Sequence, residues 1–124
     1  MRRSARHYLV AVAIVAVGLV WRRPVRRVEV TGDSMLPTLA PGDRLLVLRH
    51  RRARVGDVVA VLDPRLPART LVKRVAARDG NDVTVLGDNA AASTDSRILG
   101  PVAPASIRGR AVYRYFPDSR RGRL

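Results

Sequence analysis

From Val25 onward the chain is cut at short intervals by Gly, Pro and Asp, and no helical period appears between the cuts. Val28-Glu29-Val30 alternates, Pro41-Gly42-Asp43 reads as a turn, and Arg44 to Leu48 as a strand. Val55-Gly56-Asp57 makes a second turn before a strand over Val58 to Leu62; Asp63 to Ala68, with two prolines, reads as a loop. A strand over Thr70 to Ala77, a hairpin turn at Asp79-Gly80-Asn81 and a return over Asp82 to Leu86 follow. Gly87 to Pro104 reads as loop, and Ile107 to Phe116 as a last strand. This punctuation rules out a helical bundle. It predicts a mostly β domain, a compact coiled antiparallel sheet or partial barrel of about 95 residues, spanning 22–117. The tail 118–124 is basic and reads as disordered.

The segment ahead of this domain differs. Residues 1–7 are basic, and Tyr8 to Trp21 is an uncharged apolar run followed by Arg22, Arg23, Arg26 and Arg27. As one short N-terminal helix the run would be about 21 Å long, below the roughly 30 Å hydrocarbon core. Its exit, Leu19-Val20-Trp21-Arg22-Arg23, lacks the small residues of a cleavable signal, and Tyr8 and Trp21 suit the two interfaces. The expectation is an uncleaved single-pass anchor at 8–21 that contacts membrane lipid. Arginines on both sides leave its orientation open.

With no cysteine, disulfides, thiolate metal sites and cysteine nucleophiles are excluded. His7 and His50 have no acidic neighbour close in sequence, which argues against a histidine-based pair or a histidine metal site. The formal net charge of +14 suggests nucleic acid or an anionic membrane. Five aromatics and dispersed arginines weaken the nucleic-acid case. Of the 24 basic residues, 23 are arginine; Lys73 is the one lysine. Arginine cannot give up its proton in a protein, whereas a buried lysine can.

Three stretches could carry chemistry. Ser34 follows Gly32-Asp33 and precedes Pro37, so it should sit on a constrained, exposed turn, and a serine nucleophile needs a base beside it. Taken alone, such a turn is ordinary. In Leu71-Val72-Lys73-Arg74-Val75 the strand period places Lys73 with Leu71 and Val75 on one face, while Arg74 can reach solvent from the other. If that face is inward, Lys73 is desolvated. Bringing it near neutrality costs about 4 to 5 kcal/mol, which makes sense where a neutral amine has work to do. A lysine that snorkels to solvent, or that pairs with Asp57 or Asp63, is the plain alternative. The third stretch, Gly87 to Arg97, is dense in short polar groups; Asp95 and Arg97 could pair there, and Ser93 offers a hydroxyl to orient an amine.

Five boxes in order are similar to those of type I signal peptidases: Gly-Asp-Ser-Met-Leu-Pro-Thr-Leu (32–39), Pro-Gly-Asp-Arg-Leu-Leu-Val (41–47), Gly-Asp-Val-Val (56–59), Val-Lys-Arg-Val (72–75) and Gly-Asp-Asn…Ser-Thr-Asp-Ser-Arg (87–97). The resemblance covers roughly residues 28 to 116. It implies a membrane-anchored serine-lysine endopeptidase of the bacterial cell membrane, with a precursor protein as substrate and no metal or cofactor. Ser34 would be the nucleophile, Lys73 its general base and Ser93 the hydroxyl orienting the amine. Asp95, Arg97 and Asp88 would support the loop, and the Ser34 amide would serve the oxyanion hole. The chain departs from the pattern at Gly32, where some members carry a hydroxyl, and at Ala76 to Gly80, a loose match to a Gly-rich turn. It also lacks the insertion that some members carry after the lysine strand.

The ending Arg-Gly-Arg-Ala-Val-Tyr-Arg-Tyr-Phe-Pro (108–117) resembles a narrower group, the compact proteases that mature nickel-type superoxide dismutases. Two readings from other classes stay open. Self-cleaving repressors share a Ser-Lys dyad, but they would not be expected to carry the Pro-Thr or the Gly-Asp-Asn loop. A non-enzymatic basic module would bind anionic lipid or nucleic acid. The sequence leaves oligomeric state open.

Overall fold

The computed structural model describes residues 25–49 and 52–124. The expected anchor helix at 8–21 and the basic residues 1–7 lie outside them. Among the described residues no helix is long and apolar enough to cross a membrane. The expected mostly β architecture is present. Strands β1 (Val25–Glu29), β2 (Arg44–Leu48), β3 (Val58–Asp63), β4 (Leu66–Asp79), β5 (Asp82–Leu86), β6 (Ile107–Phe116) and β7 (Gly122–Arg123) form one antiparallel sheet. Its order is β1-β2-β6-β3-β4-β5, with β7 on β6, and it does not close.

The continuous apolar run Val58-Val59-Ala60-Val61 marks β3 as a strand buried on both faces. Val58 and Ala60 join Val30, Met35, Leu39, Leu45, Val47 and Val72 in one cluster. Val59 and Val61 join Val75, Val83, Val85 and Val102 in the other. The coiled sheet thus wraps two apolar packings around β3. Because Lys73 pairs with Val59 and Val72 with Ala60, Lys73 belongs to the Val59/Val61/Val75 face of β4.

Three expectations are corrected. Asp63 to Ala68 is not a loop: β3 runs to Asp63 and β4 starts at Leu66. The Asp63 carboxylate accepts from the Arg65 amide (2.9 Å) and guanidinium, which tightens the turn to Pro64-Arg65. The register then jumps from Leu62↔Thr70 to Asp63↔Leu66, leaving Pro67, Ala68 and Arg69 in a bulge. On its other side β4 meets β5 only from Arg74 onward, so the edge ahead of Lys73 pairs with no described strand. Second, the stretch read as loop before β6 holds a short helix, α1 (Ser96–Leu99), and 3-10 turns at Ala90–Ala92 and Pro104–Ser106. Asp95 caps α1, a start signal too short to show as a helical period.

Third, the tail is ordered. Asp118–Arg120 forms a 3-10 turn, and β7 pairs with Tyr113 and Arg114 of β6. The cause is Asp43, which is fully buried. Its carboxylate accepts from the Ala40 amide (3.0 Å) and pairs with Arg114 (3.2 Å) and with Arg120. A buried carboxylate needs cations, and the tail delivers one. The same residue ties the base of the 31–41 loop, where the Val30 amide donates to the Asp43 carbonyl and the Gly42 amide to that of Val30. Asp43→Asn should therefore lower the unfolding free energy of the full chain by about 3 kcal/mol, read as a shift in urea midpoint at constant slope. An exposed substitution such as Arg123→Ala should leave it unchanged; equal midpoints for the two variants would show that the Asp43 cluster holds nothing.

Candidate active site

Ser34 lies on a turn that the flanking apolar residues pin down. Met35 and Leu39 are fully buried in the first cluster, the Leu39 amide donates to the Met35 carbonyl (2.9 Å), and the Leu36 amide donates to that of Asp33. Gly32 takes a positive φ of 77°, the left-handed region that glycine occupies freely, and so admits the sharp entry to the turn. Met35 and Leu39 are the buried anchors of this turn, and Ser34, just ahead of Met35, stays half-buried.

The Gly87–Arg97 stretch closes on this turn from the far side. The Asn89 amide donates to the Ser34 carbonyl (2.8 Å), and the Asn89 side chain to that of Asp33 (3.1 Å). Gly87 sits in the contact itself. A Cβ on it would lie 2.2 Å from Ser93 Oγ and 2.6 Å from the Ser34 carbonyl oxygen, so only glycine lets the two segments approach. Asp88 adds a third tie: it accepts from Thr38 Oγ1 (2.7 Å) and takes the Arg74 guanidinium in a bidentate pair (2.9 and 2.8 Å). That pair, with Thr38, holds the Asp88 carboxyl below the usual carboxylate range. Arg74 reaches solvent as expected, its side chain 35% exposed, and on the way it is held by Asp88 and the Gly56 carbonyl.

Lys73 is 3% exposed. Its alternative partners are taken: Asp63 pairs with Arg65, and Asp57 faces Arg110 at 3.7 Å. Lys73 Nζ instead donates to Ser93 Oγ (3.1 Å), which in turn donates to Asp95 Oδ2 (2.6 Å). Asp95 is also buried and accepts from the Gly87 amide (2.8 Å), the Arg97 amide (3.1 Å) and the Arg97 guanidinium (3.0 and 2.5 Å). Burial opposes the charge on Asp95, but the bonds from Arg97, Ser93 and Gly87 outweigh it and hold the carboxyl far below the ordinary range. For Lys73 the balance runs the other way. Desolvation pushes its pKa down; the Asp95 charge resists, and Arg69, Arg97 and Arg65 add to the lowering.

Ser34 and Lys73 line one cleft of about 210 Å³ between residues 29–34 and the open edge of β4 at 69–73. Of the six expected residues, Ser34 and Lys73 share the cleft, Lys73 leads through Ser93 to Asp95 and Arg97 by direct bonds, and Asp88 braces the junction between the two loops. A family model for signal peptidase, peptidase S26, matches residues 2–85 and 79–116. The chain belongs to the signal peptidase S26 family.

Relatives agree. This S26 family member is 37% identical over 123 residues to the mitochondrial ATP-independent inner membrane protease subunit 1a of Arabidopsis thaliana, over 77% of this chain and 73% of the relative. It is 31% identical over 143 residues to the mitochondrial inner membrane protease subunit 2 of Danio rerio, over 94% of this chain and 77% of the relative. It is 30% identical to the probable signal peptidase I-1 of Synechocystis, over 77% and 73% of the two chains. Sequence reading of the site missed Asn89, Thr38 and the spatial need for Gly87. The Gly-Asp-Asn box contained Gly87 and Asn89; their contacts to residues 33 and 34, and that of Asp88 to Thr38, depend on the fold, which no local pattern encodes.

Proposed function

We propose that the chain is a membrane-associated serine endopeptidase that removes an N-terminal signal peptide or propeptide, with Ser34 as nucleophile and Lys73 as general base. One observation carries the assignment: a buried lysine whose pKa is lowered shares a cleft with a serine held on a pinned turn. The family and its membrane-protease relatives support the reaction class.

The hydrogen bonding fits the chemistry. The proton of Ser93 is committed to Asp95, so Ser93 can only accept from Lys73. A neutral Lys73 then spends an N–H on Ser93 and keeps its lone pair for Ser34. In the forward step Lys73 Nζ takes the Ser34 hydroxyl proton as Oγ bonds to the scissile carbonyl carbon. The proton passes to the leaving amine as the C–N bond breaks, leaving an acyl ester on Ser34. Water then gives a proton to Lys73 as its oxygen bonds to the ester carbon, and that proton returns to Ser34 Oγ as the C–O bond breaks, freeing the carboxylic acid product. The Ser34 amide is the candidate oxyanion donor. An extended precursor segment can lie along the free edge of β4.

The resemblance to nickel-type superoxide dismutase maturation proteases names one candidate precursor. Residues 108–117 of this chain form most of β6 and the turn after it, and they are not among the residues lining the cleft.

The test is cleavage of a quenched fluorescent peptide, with one segment of small residues in a Gly/Ser frame, by the full chain in detergent. The rate should rise with pH, because the protonated amine is inactive and deprotonation makes the base. Since burial lowers the Lys73 pKa, the midpoint should lie below the ordinary lysine value of about 10.4. A rate flat between about pH 5 and pH 10 would rule out a lysine base.

A further inference from the structure

Three guanidinium groups act electrostatically on Lys73: those of Arg69, Arg97 and Arg65. Two are already matched. Arg97 is paired with Asp95 and Arg65 with Asp63, each through two nitrogens. Arg69 makes no ion pair or side-chain hydrogen bond among the described residues, although it lines the cleft that holds Ser34 and Lys73. Glu29 and Asp33 line the same cleft from the other side, and neither pairs with it.

Arg69 owes this position to the bulge. Pro67, Ala68 and Arg69 have no partner on β3, and a bulge beside a site re-aims the side chains it carries. It also stands on the edge of β4 that meets no other described strand, along which an extended peptide can run toward Ser34 and Lys73. Four residues separate Arg69 from Lys73, at most about 13 Å of strand, so a peptide lying alongside would present a side chain to Arg69 three or four residues from the bond cut.

We propose that Arg69 is a specificity-determining residue that reads an acidic side chain of the precursor three or four residues from the scissile bond. The inference rests on the peptidase reading above and deepens it. An unpaired cation in a cleft is well hydrated when free; a carboxylate on the bound peptide gives it a partner in geometry already set by the strand edge. The effect of a substrate charge falls mainly on binding, since Arg69 makes no hydrogen bond to Ser34 or Lys73 among the described residues and bears on the base only through its charge. Being exposed, the pair should be worth about three- to fivefold in kcat/KM and should weaken with added salt.

The experiment uses the full chain in detergent and the quenched peptide with one small-residue segment, its cut located by mass spectrometry. A single Asp, Asn or Lys is walked through the five positions on either side of the cut. Asp should beat Asn about three- to fivefold through KM at one position three or four residues from the bond, and Lys should fall below Asn there. Arg69→Glu should invert the order at that position alone, and Arg69→Lys should retain it. Cleavage with no positional charge preference, or a preference that survives Arg69→Glu, overturns the role of Arg69 and leaves the peptidase reading standing. Failure of the parent chain to cut any peptide of the series overturns both.

Discussion

Lys73→Arg and Ser34→Ala should each reduce cleavage by about four orders of magnitude, the serine variant with stability unchanged and the arginine variant folded at a cost of about 1–3 kcal/mol for its larger, permanently charged group. The arginine variant is the sharper test. It keeps a cation and its donors within reach of Ser93, so any role that Lys73 plays through charge or hydrogen bonding is preserved. What it removes is the lone pair, since guanidinium does not deprotonate in a protein. A structural lysine would tolerate the change to within a few-fold. Lys73→Met separates the same two roles from the side of stability. The lysine is held at 3% exposure with desolvation working against its charge, so an apolar chain of similar length should leave the melting temperature equal or higher while cleavage disappears. Cleavage by Lys73→Arg at the parent rate would eliminate the dyad.

Gly87→Ala should lower kcat by about a hundredfold or more, out of proportion to its effect on stability. The added methyl would stand 2.2 Å from Ser93 Oγ and 2.6 Å from the Ser34 carbonyl oxygen, and both belong to segments that must move apart to admit it. Separation pulls Ser93 off Lys73 and tilts the Ser34 turn away from its Asn89 tie. The overpacking itself should cost about 1–3 kcal/mol of stability. Gly109 supplies the control. A Cβ there would lie 2.4 Å from the Leu48 carbonyl oxygen, an equally severe clash, but between β6 and β2 and away from the cleft. Gly109→Ala should destabilise to a similar degree and, when measured well below its melting temperature, keep most of its kcat. Equal losses of kcat for both variants would mean that Gly87 matters only for folding.

Much of this site could be read before any fold was known. Lys73 stood out through chemistry: one lysine among 23 arginines, on a strand face shared with Leu71 and Val75. Ser34 stood out only once its turn was set beside that lysine and the 87–97 loop. The strands were legible because their turns are built from Pro-Gly-Asp, Val-Gly-Asp and Asp-Gly-Asn, whose preferences are local. What escaped was non-local. The order of the tail depends on Asp43, more than 70 residues earlier, and a basic segment carries no sign of which buried carboxylate it will meet. The hairpin at Pro64-Arg65 was hidden because two prolines suggest a loop, whereas the side chain of Asp63 is what closes the turn. For Arg74 the strand period gives the outward face but not its neighbours; the pairing with Asp88 arrives from a different part of the chain.

The unpaired edge of β4 has a consequence apart from catalysis. An exposed strand edge long enough to accept a precursor is also long enough to accept the same edge of a second molecule, the usual first step toward edge-to-edge aggregation. Here the edge is guarded where it is most open: Pro67 offers no N–H to a neighbour, and the guanidinium of Arg69 would meet its own copy in a pairing centred on the bulge. The residue inferred to welcome an acidic precursor would thus repel a second enzyme, so that solubility and selectivity would draw on the same charge.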